Sequence, residues 1–345
     1  MNASTCPSPD GPPELRADCI ADSAGGLTFD VTAPSREADA VWSAALVLRL
    51  RGGDGEADEV RLPLGPTCSG RLRAVLPSTV ALAEGRWNAY ADLGDGQEAR
   101  PLLPGVNDLR SLVDRRPLAG IGRLGVRIPY ATRHGSLALR SWLRGPHAEA
   151  GELSLSPEGV TVRGRLYGAA LAPGAIAEAR SRGAVSPLGG GDAADGMDRA
   201  PSRADTPSRT ATAPGAGTSG PTGPGVAVTT TAAPVIAAPA TGVPVITVPL
   251  TGEGPDFTFT LPYEPLAGHW TGGTERWDLW VRAAEDAEPA RIARLLEDAP
   301  DRKQTVTYPA LPVATRTARV RIGPYYTLDN DLAIRVAGRT GPEAD

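Results

Sequence analysis

What this chain lacks narrows it first. Lys303 is its only lysine, so nearly all of its 35 cationic side chains are arginines. Aromatic residues make up 5% of it, and Phe, Met and His number only 3, 2 and 3. No run of about 18 apolar residues occurs, which excludes a membrane-spanning helix of the usual kind. The opening Met1-Asn2-Ala3-Ser4-Thr5-Cys6-Pro7 has neither the basic start nor the apolar core of a secretory signal, so a cytoplasmic location is expected. Cys6, Cys19 and Cys68 are odd in number and lack metal-ligand spacing. They build neither a disulfide framework nor a zinc site. A net charge of -5 without an arginine-dense face argues against a nucleic-acid partner.

Catalytic signatures are equally scarce. Neither an H-E-x-x-H nor a G-x-S-x-G is present, and His134, His147 and His269 stand apart from any acid or thiol at ligand spacing. Gly120-Ile121-Gly122-Arg123-Leu124-Gly125 spells a dinucleotide fingerprint, but that motif needs a strand before it and a helix after it. Here it leads into the strand-like Val126-Arg127-Ile128, so no cofactor is expected. Asp329-Asn330-Asp331 resembles the start of a calcium loop without the distal Gly and Glu, and reads as a turn.

What the chain does have is an internal repeat, the strongest architectural signal a sequence offers. Pro129-Tyr130-Ala131-Thr132-Arg133-His134-Gly135-Ser136-Leu137-Ala138-Leu139-Arg140 returns as Pro324-Tyr325-Tyr326-Thr327-Leu328-Asp329-Asn330-Asp331-Leu332-Ala333-Ile334-Arg335. Upstream, Arg86-Trp87-Asn88-Ala89-Tyr90 matches Arg276-Trp277-Asp278-Leu279-Trp280. Further upstream, Gly26-Leu27-Thr28-Phe29 answers Gly159-Val160-Thr161-Val162. Three anchors in one order indicate a duplicated domain.

The second copy is longer. Its surplus falls in residues of about 184–242, a stretch of Ala, Gly, Pro, Thr and Ser with no aromatic residue. Such composition buries too little apolar area to offset an ordering cost of about 1–2 kcal/mol per residue, so a disordered insertion is expected there.

Within the copies, alternating apolar residues end at turn formers. Ala44–Arg51 stops at Gly52-Gly53-Asp54-Gly55, and Leu72–Leu76 stops at Pro77. The repeated phrase is itself a hairpin, with Gly135 and Asn330 at the slot where φ turns positive. Ala290–Glu297 fits a helix or a strand equally well. The expected fold is all-β: two tandem immunoglobulin-like antiparallel β-sandwiches, 25–144 and 145–340, after a disordered 1–24.

In a strand, residues three apart face opposite sides, so Trp87 and Tyr90, like Trp277 and Trp280, divide between core and surface. Trp87 and Trp277 are assigned to the core. Tyr90, Trp280 and Trp270 are the candidate contacts for carbohydrate or a partner.

The phrase Arg127-x-Pro129-Tyr130-x-Thr132-x-x-Gly135-x-Leu137-Ala138-Leu139-Arg140, with Gly85-Arg86-Trp87-x-x-Tyr90 upstream, resembles accessory β-sandwich domains of actinobacterial cell-wall glycosyltransferases and glycerophosphotransferases of the teichoic-acid type. The arginine bias, with abundant Ala, Gly and Pro, is also the composition of a GC-rich bacterial coding sequence. The resemblance spans most of both copies, and its motifs are structural. It implies a non-catalytic module, peripheral at the inner membrane face, that supports a glycosyltransferase by binding it or by self-association. A carbohydrate-binding module using the exposed aromatics, and an undetected carbohydrate-active enzyme, are the alternatives.

Overall fold

A computed structural model describes residues 14–32, 43–53, 55, 58–113, 115–117, 122–185, 227–229, 235–237, 243–316 and 318–338. The chain divides into two compact units, Met1–Gly145 with Arg294–Asp301, and Pro146–Ala293 with Arg302–Asp345. Both are built almost wholly from strands.

The first unit contains β1 (Arg16–Ala21), β2 (Leu27–Thr32), β3 (Ala45–Leu50), β4 (Glu59–Pro63), β5 (Gly65–Pro66) and β6 (Leu72–Leu76). It continues with β7 (Gly85–Asp92), β8 (Arg100–Pro101), β9 (Leu103–Asp108), β10 (Leu124–Ala131) and β11 (Leu137–Arg144). One sheet runs β5-β6-β2-β1-β9 and the other β10-β11-β7-β3-β4, with β8 beside β7.

The second unit contains β12 (His147–Ser156), β13 (Gly159–Tyr167), β14 (Ile176–Val185), β15 (Ala227–Thr229), β16 (Val235–Ala237), β17 (Val245–Pro249) and β18 (Thr251–Glu253). It continues with β19 (Asp256–Pro262), α1 (Tyr263–His269), β20 (Thr274–Arg282), β21 (Ala290–Ala293), α2 (Arg302–Thr305), β22 (Leu311–Ala314), β23 (Arg319–Tyr326) and β24 (Leu332–Gly338). Its strands follow β18-β19-β13-β12-β21 and β23-β24-β20-β14-β17, joined where β21 also pairs with β20. The strand orders of the two units are the same.

The repeated phrase forms the hairpins β10–β11 and β23–β24. Their turns share the same backbone hydrogen bonds. The Gly135 N–H reaches the Thr132 carbonyl at 2.9 Å, and the Asn330 N–H reaches the Thr327 carbonyl at 3.1 Å. The Thr132 and Thr327 hydroxyls accept from the Ser136 and Asp331 N–H groups. Gly135 sits at φ 83 and Asn330 at φ 59, a left-handed backbone that Gly and Asn adopt at least cost.

Trp87 and Trp277 occupy the same place in the two cores. Each is fully buried and stands in register with its neighbours, Trp87 opposite Leu50 and Leu139, Trp277 opposite Ser181 and Ile334.

Three features depart from the sequence expectation. Residues 16–21, expected within a disordered 1–24, form β1, whose Ala17, Cys19 and Ala21 point into the core; 1–13 lie outside the described residues. The sheets are not purely antiparallel: β1 runs parallel to β9, and β12 parallel to β21. That arrangement lets the first strand of each unit close against a late one. Most of 184–242 lies outside the described residues, yet β14 runs on to Val185, and β15 and β16 both pair with sheet strands. Of the two readings left open for 290–297, the strand forms, over Ala290–Ala293, where β20 and β12 supply hydrogen-bonding edges.

Candidate functional site

The outward face of β14, β17 and β20 in the second unit carries a groove of about 770 Å³. Strand alternation builds it. Ala177, Ala179, Ile246, Val248, Leu279 and Val281 turn into the core, which leaves Glu178, Arg180, Thr247, Asp278, Trp280 and Arg282 outside.

Two carboxylates organise the groove. Glu178 has a side chain only 3% exposed and receives two guanidinium forks. Arg180 donates Nε and Nη2 to Oε2 at 2.8 and 2.6 Å, and Arg282 donates the same pair to Oε1 at 2.9 and 2.6 Å. Asp278 accepts from Arg182 Nε at 2.7 Å and Arg291 Nη2 at 2.6 Å. Forked contacts of this kind fix both partners' geometry as well as their charge. A carboxylate as buried as Glu178 requires such partners, because an unpaired buried charge is strongly unfavourable.

Trp280 lies between the two carboxylates' arginines. The guanidinium carbons of Arg180 and Arg291 stand 4.8 and 5.3 Å from its ring centre. β14 and β21 flank β20 on opposite sides, so the two cations approach the half-buried indole from opposite directions. Cation–π contacts of this kind are worth about 0.5–2 kcal/mol each, rising with desolvation. The indole Nε1 is buried and has no hydrogen-bond acceptor among the described residues.

The first unit repeats the motif in reduced form. Tyr90 takes the place of Trp280, with the Arg49 guanidinium 5.1 Å from its ring. Arg49 faces Asn88 across β3–β7 as Arg180 faces Asp278 across β14–β20. Arg49 bonds Glu59 at 2.9 Å, Arg51 bonds Asn88 at 3.2 Å, and Arg61 pairs with Asp92. Opposite Tyr90 stands Pro101, where Trp280 has Arg291, so the second cation is absent from that position.

The structure therefore separates the three aromatic candidates. Trp280 is in the groove, and Tyr90 holds the equivalent position in the other unit. Trp270 lies away from the groove, half-buried after α1; its Nε1 donates to the Gly273 carbonyl at 3.1 Å and its ring packs against the second core. A Cβ at Gly338 would meet that ring at 2.8 Å. The arginine forks escaped the sequence reading. One signal was available: Arg49-Leu50-Arg51 and Arg180-Ser181-Arg182 recur at the same distance into each copy's third strand.

No family model and no curated protein matches this sequence. Among solved structures, residues 217–571 of TarS from S. aureus align with a TM-score of 0.26 at 11% identity, covering 48% of this chain and 49% of that one. A second S. aureus TarS structure gives a TM-score of 0.26 at 11% identity over 49% of this chain and 31% of its own. A tetra-tandem repeat from the extending region of a large adhesion protein gives 0.19 at 9% identity, covering 95% of this chain and 66% of that one. The chain thus spans half or less of the TarS structures it aligns with.

Proposed function

We propose that this chain is a non-catalytic docking module, built from two copies of one sandwich, that binds a cell-wall polymer glycosyltransferase through the Trp280 groove. The observation that carries the reading is the ordered Arg180–Trp280–Arg291 stack laced to Glu178 and Asp278. Arg and Trp are the side chains that dominate protein interfaces, and here they are held in place before any partner arrives, which lowers the ordering cost of binding. The same pairing argues against acid–base chemistry in the groove. Both oxygens of each carboxylate are taken up by guanidinium N–H groups. On this reading the module works in the cytoplasm, peripheral at the inner membrane face.

A wall-polysaccharide ligand is the second reading, favoured by the aromatic at the same position in both units. It needs a free ring face, and on Trp280 two guanidiniums occupy that space. The protein-docking reading is therefore preferred.

The test compares the full-length chain with Arg282→Ala and Trp280→Ala. Immobilised wild-type chain should retain a wall-polymer glycosyltransferase from lysate of its own cell, identified by mass spectrometry. The purified enzyme should then bind the variants at least tenfold more weakly. Equal binding by wild type and both variants would overturn the reading. Retardation of the wild type in gels containing wall polymer, lost in Trp280→Ala, would transfer it to carbohydrate.

A further inference from the structure

The repeat keeps two arginines side by side. Among the charged residues of its anchors, Arg86 and Arg140 of the first copy return unchanged as Arg276 and Arg335. They stand directly opposite each other in both units, Arg140 facing Arg86 across β11–β7 and Arg335 facing Arg276 across β24–β20. A third arginine extends each row onto the next strand. In the first unit it is Arg51, whose N–H donates to the Arg86 carbonyl at 2.8 Å. In the second it is Arg182, where β14 bulges opposite Arg276; its Nε reaches Asp278 on the outward face at 2.7 Å. Like charges directly opposite on neighbouring strands are destabilising, so the row weakens the sheet by itself and a bound anion relieves it.

The two rows differ in what covers them. In the first unit Arg140 is buried, with its guanidinium carbon 5.1 Å from the Trp142 ring centre, and Arg51 donates to Asn88 at 3.2 Å. In the second unit Ala337 holds the place of Trp142, and Arg335 is exposed, with no hydrogen bond or ion pair among the described residues. Arg321 and Arg319 continue the cationic patch along β23 on the same outward face, since Gly323 pairs with Arg335 and Arg321 with Ala337. The acids of this face lie below it. The side chains of Glu178, Asp278 and Asp331 are 3%, 12% and 9% exposed and already paired with arginines. A chain of net charge -5 thus turns guanidiniums outward on one sheet. No single stretch of sequence displays this, because the row is gathered from three strands.

We propose that Arg182, Arg276 and Arg335 form a carboxylate-binding site, and that its ligand is a short acidic run on the surface of a protein partner. Neighbouring strands lie about 4.8 Å apart, so the three arginines span roughly 10 Å, room for two or three carboxylates. Guanidinium forks match carboxylates in geometry as well as charge, as Arg180 does for Glu178 on the same face. The patch is short, and the chain's net negative charge repels a long polyanion, whereas a folded protein presents acids only where the arginines are. The proposal rests on the docking reading only in taking the partner to be a protein. Arg182 and Asp278 join the row to the Trp280 groove, so one partner covers both.

The probe is a fluorescein-labelled peptide, Gly-Asp-Glu-Asp-Glu-Gly, read by anisotropy on the full chain beside its Asn/Gln counterpart. The acidic peptide should bind the wild type, more weakly as salt rises, and the neutral one should not. Arg335→Gln should weaken binding about fivefold, and Arg276→Gln combined with Arg335→Gln about tenfold or more. Arg163→Gln makes the same charge change on β13 of the other sheet, at a side chain 67% exposed, and should leave binding unchanged. Arg335 has no bond to lose, so its variant should keep native circular dichroism and melting temperature. A lowered melting temperature would make the residue structural and overturn the site. Peptide binding that is absent, or equal in wild type and Arg335→Gln, would overturn it even where the groove retains a glycosyltransferase. Peptide binding lost in Arg335→Gln, with no glycosyltransferase retained by the wild type, would uphold the site and remove the docking reading. Displacement of the peptide by an oligothymidylate of equal charge at lower concentration would make the ligand a phosphate polymer and overturn the assignment to a protein.

Discussion

The repeated tryptophans make different demands on the same substitution, and this gives a sharp test of the packing argument. Trp87 and Trp277 are 1% and 0% exposed, so truncation of either to alanine should cost about 3–5 kcal/mol. Replacement by phenylalanine separates them. Trp87 donates its Nε1 to the Ala83 carbonyl at 3.0 Å, and that bond is lost in Trp87→Phe. Ala83 is exposed, so its carbonyl finds water and the loss is the net worth of one hydrogen bond, about 0.5–1.5 kcal/mol. Trp277 instead buries its Nε1 with no acceptor among the described residues and meets His269 edge-on at 5.5 Å. Phenylalanine there deletes an unpaired donor whose burial costs about 1–3 kcal/mol, which offsets part of the lost volume. Trp87→Phe should therefore be the more destabilising, by about 1.5–4.5 kcal/mol. Urea unfolding followed by circular dichroism, with calorimetry on the same variants, measures the difference. Trp277→Phe costing as much as Trp87→Phe would refute the hydrogen-bond reasoning. Native-like midpoints for both alanine variants would refute the core assignment itself.

Three further outcomes follow from named groups. In a Cys6→Ser background the native chain should show one fast thiol, the exposed Cys68. Burial pushes the Cys19 thiol up to about 12, so it should react only on unfolding, and two fast native thiols would contradict this. Burial also pushes the Tyr263 hydroxyl up to about 12, while the unfolded chain ionises near ~10. The folded state then holds more protons across that window, stability falls as pH rises through it, and Tyr263→Phe should flatten the slope seen in denaturant melts at alkaline pH. The Arg73 fork, at 2.6 and 2.7 Å, holds the Asp30 carboxyl below its ordinary range. Its contribution is present above the unfolded value near ~3.9 and is lost as pH falls through the folded one, so Asp30→Asn should be less stable at neutral pH and lose less on acidification. An equal acid loss in both proteins would contradict that assignment.

The sequence carried some of this fold plainly and hid the rest for physical reasons. The Pro-Tyr phrase and the Arg-Trp strand were readable because each is a local pattern that recurs, and both anchors landed in equivalent strands. β1 was hidden because its inward residues, Ala17, Cys19 and Ala21, are small, while its largest apolar residue, Ile20, faces out and is 43% exposed. α1 was hidden by Pro265 and Gly268, which read as breakers. The parallel pairs β1–β9 and β12–β21 join residues far apart in the chain and leave no local trace. At the groove, alternation placed Trp280 on the surface, but the forks onto Glu178 and Asp278 depend on cross-strand register. Only the paired Arg-x-Arg hinted at them.

Those parallel pairs also set an order of events during synthesis. Arg16 must wait for Leu103, and Ala148 for Ile292, before either first strand is fully paired. Non-local closures of this kind make β proteins slow folders, on the scale of milliseconds to seconds. The residues inserted between β14 and β17 lengthen the second closure, at a cost that grows only with the logarithm of loop length. A nascent chain that has not yet released Ala290 therefore holds β12 with one edge bare, and that is the stage at which a chaperone, or a neighbouring ribosome's product, meets an unfinished sheet.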